Sequence, residues 1–224
     1  MKQLKTISVA IVLFSCLTGF YYQDKSTKCA SKRNYNKTEF CMPIMVGMTE
    51  AYSQPKIKKA TDEYKFDKKN TILGLYVRDE NLKKIDNEGF NNYIKVYGLK
   101  QLEGMNVSKS FFNMVREQFM SDSWNKTLDK IIGDVENKFS ELKIGSPMII
   151  EKYNLNDRIS TQILLMKMIK NKKEVIKACS LNIAHVKNTI IYYCFYRTYT
   201  GPETFDIVKA NSDLFGYRFL HSNV

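Results

Sequence analysis

The chain has 224 residues, 44% apolar and 26% charged, with a formal net charge of +12, a balance that excludes an intrinsically disordered chain. The positive excess favours anionic partners such as lipid headgroups, an envelope component or acidic polymers, although base bias in a genome also yields a composition rich in lysine and asparagine. No nucleic-acid-binding motif is present, so nucleic acid is not an expected partner.

At the N-terminus Lys2 and Lys5 precede an unbroken run of apolar and small residues at 6–20, and a polar, lysine-rich segment follows from Gln23. A positive start, a short apolar run and a polar continuation predict an export signal over residues 1–20. The run is shorter than the roughly twenty residues that cross a bilayer as a helix, so cleavage is expected rather than a permanent anchor. Two processing routes fit. Leu13-Phe14-Ser15-Cys16 resembles the bacterial lipoprotein box, whose cysteine is lipidated and becomes the mature N-terminus; Phe14 departs from the small residue usual at its place. The other route is ordinary cleavage near residues 18–20, which leaves Cys16 as one more apolar residue of the run. Either route implies an exported protein that is periplasmic, tethered to the outer membrane or extracellular.

Residues 21–45 are polar and turn-rich and read as a loosely ordered lead-in to a single α+β domain over 46–224. In an oxidising compartment Cys29, Cys41, Cys179 and Cys194 are disulfide candidates. A Cys29–Cys41 bridge closes a short loop, worth about 3 kcal/mol by the chain-entropy model.

Pro55 suits the first turn of a helix within 49–64, where its missing N–H is harmless. Residues 71–77 are β-branched and aromatic, as in a buried strand, and 93–97 alternate like a second one. Ser108 is a suitable N-cap for a helix with a stripe of Phe111, Phe112, Val115 and Phe119. A further helix over 123–139 carries Leu128, Ile131, Ile132, Val135 and Phe139 on its inner face, before Gly145-Ser146-Pro147 breaks the pattern. Four strand-like runs follow at 148–155, 161–170, 175–184 and 189–200. Their short polar links predict a four-stranded antiparallel meander. Gly201-Pro202-Glu203 then opens a last helix, with Phe205, Val208, Leu214 (with Phe215) and Phe219 on the side turned to the sheet. If Lys187-Asn188 form the last hairpin turn, Cys179 and Cys194 are diagonal neighbours; one residue back, they face each other directly. The direct register could permit a bridge and the diagonal one leaves the α-carbons too far apart; two buried free thiols are expected.

Chemical motifs are sparse. His185 and His221 have no ligand cluster around them, so neither a metal site nor a cofactor is expected, and no catalytic residue stands out. Glu50, Asp62 and Glu63 read as solvated helix faces. The Asn-x-Ser/Thr triplets at Asn36, Asn106 and Asn125 are glycan acceptors only in a eukaryotic secretory route. Trp124 reads as a packing anchor between helices. Lys167, Lys170, Lys172, Lys173 and Lys177 concentrate at one hairpin end, as a patch for an anionic membrane or simply as a soluble turn.

A meander followed by a terminal helix ending in Gly216-Tyr217-Arg218-Phe219 is similar, in its order of elements, to exported α/β/α sandwich proteins of the PsbP-like and DcrB-like kinds. That resemblance implies a sheet with helices on both faces and an accessory role without catalysis. The lysine- and asparagine-rich style also resembles exported proteins of Bacteroidota. The expectation is an exported, envelope-associated binding protein; the competing readings are a secreted effector for anionic surfaces and an enzyme with a scattered site.

Overall fold

Residues 28–63, 69–84, 92–136, 142–170 and 173–224 are described by a computed structural model. The expected signal at residues 1–20 with Cys16 lies outside them, as do Phe139 and Lys172. The first elements are β1 (Cys29–Tyr35) and β2 (Thr38–Pro43), a hairpin turning at Asn36-Lys37 with φ of 52° and 60°. Such a left-handed two-residue turn matches the twist of the strands it joins. Cys29 and Cys41 are bonded to each other within this hairpin, their Cα atoms 5.2 Å apart. Residues 29–43 are therefore no loose lead-in. One face of the hairpin carries Tyr35, Phe40 and Met42, all buried in the main core, so this segment belongs to the same body as the rest.

β3 (Met48–Glu50), α1 (Pro55–Glu63), β4 (Asn70–Arg78) and β5 (Tyr93–Leu99) follow, then α2 (Lys109–Met120) and α3 (Trp124–Glu136). The chain continues through β6 (Leu142–Ile144), β7 (Met148–Asn156), β8 (Ile159–Lys170), β9 (Lys173–Val186), β10 (Thr189–Thr198) and α4 (Glu203–Ser222). The strands from β3 onward form one antiparallel sheet in the order β3-β4-β5-β10-β9-β8. β7 and β6 both pair with the outer edge of β8, along its first and last parts. The fold is α+β with the expected C-terminal meander.

Alternation along the strands sorts the side chains onto two faces. One face, with Tyr76, Ile94, Tyr193 and Phe195, packs against α4 and the β1–β2 hairpin. The opposite face packs Ile72, Leu75 and Val77 under α1, and Ile183 and Ile190 under α2. Ser108 caps α2 by accepting from the Phe111 amide at 3.2 Å.

Two further expectations are corrected. Pro55 opens α1 as expected, but Glu50 lies before the helix, in β3, and its carboxylate is buried. It accepts from the Tyr52 amide at 3.0 Å, the Leu75 amide at 3.3 Å, Arg33 at 3.5 Å and the Ser53 hydroxyl. A buried carboxylate persists only when its lone pairs are so filled. Asp62 does stay on the helix surface, accepting from the Tyr52 hydroxyl and Lys58. Leu214 faces outward at 42% exposure, and Ser212 and Gly216 take the inward positions instead. Ser212 donates to Asn182 Oδ1 at 3.1 Å, joining a buried network in which Thr161 also donates to that oxygen and Asn182 donates to Ser180 and the Tyr193 carbonyl. That network fixes where α4 lies on the sheet.

Candidate binding surface

The same turn chemistry that closes two hairpins also builds a depression on the surface. Lys187-Asn188 closes β9–β10 with φ of 48° and 55°, repeating the left-handed geometry at Asn36-Lys37. The two turns stand side by side at one end of the molecule, with residues 104–106 as the third wall. Asn36 ties the walls together. Its Nδ2 donates to the Met105 carbonyl at 2.7 Å and its Oδ1 accepts from the Gly104 amide. The Val107 amide donates to the Asn188 carbonyl at 2.8 Å, fixing the third wall to the second turn. Gly104, at φ 85°, supplies a backbone angle that a side chain would strain.

The depression is shallow and open to solvent, with a volume of about 290 Å³, near the lower bound of small-molecule sites. Its lining holds Lys37, Lys187, Asn106 and Asn188 and no carboxylate. The neighbouring acids are engaged elsewhere: Glu39 with Lys32 at 2.8 Å, Glu103 with the Thr71 hydroxyl. Lys187 donates to the Glu39 carbonyl at 3.0 Å and sits over the Phe40 ring, which leaves two of its three protons unused. The side chains of Lys37, Asn106 and Asn188 make no hydrogen bond among the described residues. The cup is cationic and rich in amide donors and acceptors.

The residues singled out in the sequence lie elsewhere. The five lysines do not form one patch. Lys177 pairs with Met166 and points to the α2 face, so Lys167, the next residue along, points to the other. Lys167 is bridged to Glu174 at 2.7 Å. Lys177 is only 9% exposed and donates to Thr198 at 2.9 Å; burial holds its ammonium below the ordinary lysine value. Lys170 and Lys173 are directly opposed in the β8–β9 ladder, and Lys172 lies outside the described residues. Cys179 and Cys194 are buried free thiols, Cys179 opposite Tyr196 and Cys194 opposite Leu181. Burial pushes both thiols up, so they pack as small hydrophobes.

His185 bonds the Val107 carbonyl through Nε2 at 2.8 Å and stacks on Phe112; it supports the third wall from behind. Trp124 packs edge-on against Phe119, 5.4 Å between ring centres. Among the described residues no group of three or more His, Cys, Asp or Glu is placed to hold a metal ion.

The cup escapes sequence reading because its three walls come from distant, individually unremarkable polar stretches. Asn-Lys and Lys-Asn at hairpin turns were the available signal.

No family model matches the chain, nor does a curated protein. Among solved structures it is similar to the Ran-binding protein Mog1p of Saccharomyces cerevisiae, with a TM-score of 0.39 and 8% identity, over 86% of this chain and 94% of that one. A likeness of that degree carries no inference about what this chain binds.

Proposed function

We propose that this is an exported, envelope-associated binding protein without catalytic activity, whose ligand is a small polyhydroxylated molecule bearing a carboxylate or phosphate, such as an acidic monosaccharide. The observation that carries the reading is the cup between the two left-handed turns, with two lysines, two asparagine amides and no carboxylate in its lining. Ammonium groups favour an anionic substituent, and amides, which both donate and accept, suit ring hydroxyls. The volume limits the ligand to about one ring. Export is supported by the positive, apolar, polar order of the first residues and by a disulfide, which persists in oxidising compartments. Lipidation at Cys16 would hold the protein at the envelope.

Isothermal titration of the full chain with glucuronate, glucose 6-phosphate and glucose tests this reading. At least one acidic sugar is expected to bind about tenfold more tightly than glucose, the equivalent of about 1.4 kcal/mol from one charge-assisted contact. Lys37→Gln removes that advantage, and Asn188→Gly, which keeps the turn angle, weakens all binding sugars alike. Absence of binding by both acidic sugars, or an unchanged preference in Lys37→Gln, overturns it.

A further inference from the structure

We infer that the loop at residues 44–47, together with the outer side of α4, is a contact site for an anionic lipid surface. This site is separate from the cup and does not rest on it. The loop follows β2 and is pinned from within by Met45, which is 4% exposed, while its neighbours Ile44 and Val46 turn outward at 50% and 82% exposure. Gly47, at φ 71°, lets the chain reverse into β3. Arg218 of α4 donates to the Ile44 carbonyl at 2.6 Å, which holds the loop against the helix. One turn of α4 away, Leu214 is 42% exposed, with Tyr217 beside it at 53%. α4 is thus apolar outside as well as inside, where Val208, Phe215 and Phe219 are buried.

Charge decides the occupant. Arg78 and Arg197 line the cleft beside Val46, together with Asn211. Arg78 has Glu80 at 3.6 Å, and the nearby Asp79 accepts from the Thr49 hydroxyl. Arg197 and Arg218 have no acidic partner among the described residues. Exposed aliphatic side chains on a loop flanked by guanidinium groups match the order of a membrane interface: acyl chains inward, phosphates at the level of the arginines. A cleft of about 30 Å³ beside the tip is too small to receive a side-chain anchor from a protein partner.

The test uses the full chain carrying Val46→Trp, a substitution at a position open to solvent. Vesicles of phosphatidylcholine alone are compared with vesicles that also contain phosphatidylglycerol. The variant's emission is expected to shift to the blue, beyond the unchanged Trp124 signal, only with the anionic vesicles. Replacing Arg197 and Arg218 together by Gln reduces partitioning to them about thirtyfold, from about 1 kcal/mol per cation near the surface. The first twenty residues can bring the chain to either vesicle, but they do not place residue 46 in lipid. An unshifted emission on protein bound to anionic vesicles, or undiminished partitioning of the folded Arg variant, overturns the inference and leaves the tip to a protein partner.

Discussion

Asn223→Ala is expected to lower the unfolding free energy by about 2–4 kcal/mol, read as a reduced urea midpoint at unchanged slope. The residue is 1% exposed, and its amide pairs with both the N–H and the C=O of a residue 182 positions earlier. Its Oδ1 accepts from the Cys41 amide and its Nδ2 donates to the Cys41 carbonyl, both at 2.8 Å, and also to the Phe219 carbonyl at 2.9 Å. Alanine leaves a buried N–H and two carbonyls short of a partner, and each such orphan costs about 1–3 kcal/mol where water cannot replace it. Asn223→Asp separates this account from simple loss of volume. A carboxylate still accepts from the Cys41 amide but faces two carbonyl oxygens, so this variant is destabilised at neutral pH and recovers partly in acid, where a protonated carboxyl again donates. An Asp variant as stable as wild type across pH would contradict the assignment.

The second large effect is expected at Gly98 of β5. The Tyr35 ring packs on this glycine, so that an added Cβ would clash with its Cζ. The Tyr35 hydroxyl donates to the Leu99 carbonyl at 2.7 Å. Gly98→Ala must push the ring off the sheet, breaking that bond and lifting the hairpin edge, for about 2–4 kcal/mol of lost stability from overpacking plus the lost hydrogen bond. Burial, with a smaller contribution from Glu103, raises the Tyr35 phenol to about 12. Ultraviolet titration of Gly98→Ala should therefore show one tyrosine moving back toward 10.0. In the double variant with Tyr35→Ala the two losses should be less than additive, because both act on one contact. Full additivity would place the ring's role elsewhere.

These two positions show why some of the fold was legible in the sequence and some was not. The meander was readable because alternating runs met at polar links too short for anything but antiparallel neighbours. The register of the last hairpin stayed open between two neighbouring placements of the turn; Lys187 and Asn188 take the left-handed angles and so set Cys179 opposite Tyr196. The β1–β2 hairpin was missed because Tyr35, Phe40 and Met42 sit among charged residues such as Lys32, Arg33 and Glu39. Its burial depends on Gly98 and Asn223, far along the chain, and no local period reports such partners. Glu50 looked solvated because a carboxylate announces burial only through its donors, two of which are backbone amides. Leu214 misled because α4 is apolar on both sides, so the helical period left its inward stripe undetermined. The lysine cluster was a cluster in sequence only; strand alternation sent Lys167 and Lys177 to opposite faces.

The cup follows the same logic. Each of its walls is a turn or loop whose residues are ordinary taken singly, and only the cross-ties from Asn36 and Val107 bring lysines and amides around one space. A site built this way is preorganised, since binding need not order the turns, and its selectivity comes from which groups are left unpaired. The loop at 44–47 and the outer side of α4, proposed above as a lipid contact, lie apart from the cup, so the two proposed roles need not compete.

The most direct measurement is an amide chemical-shift map of the isotope-labelled full chain titrated with glucuronate and, separately, glucose 6-phosphate. The account predicts that the shifts concentrate on Lys37, Gly104, Asn106 and Asn188 for at least one of them and saturate together with a single affinity. Shifts confined to other regions, or none with either acidic sugar at concentrations that saturate weak sites, would contradict it.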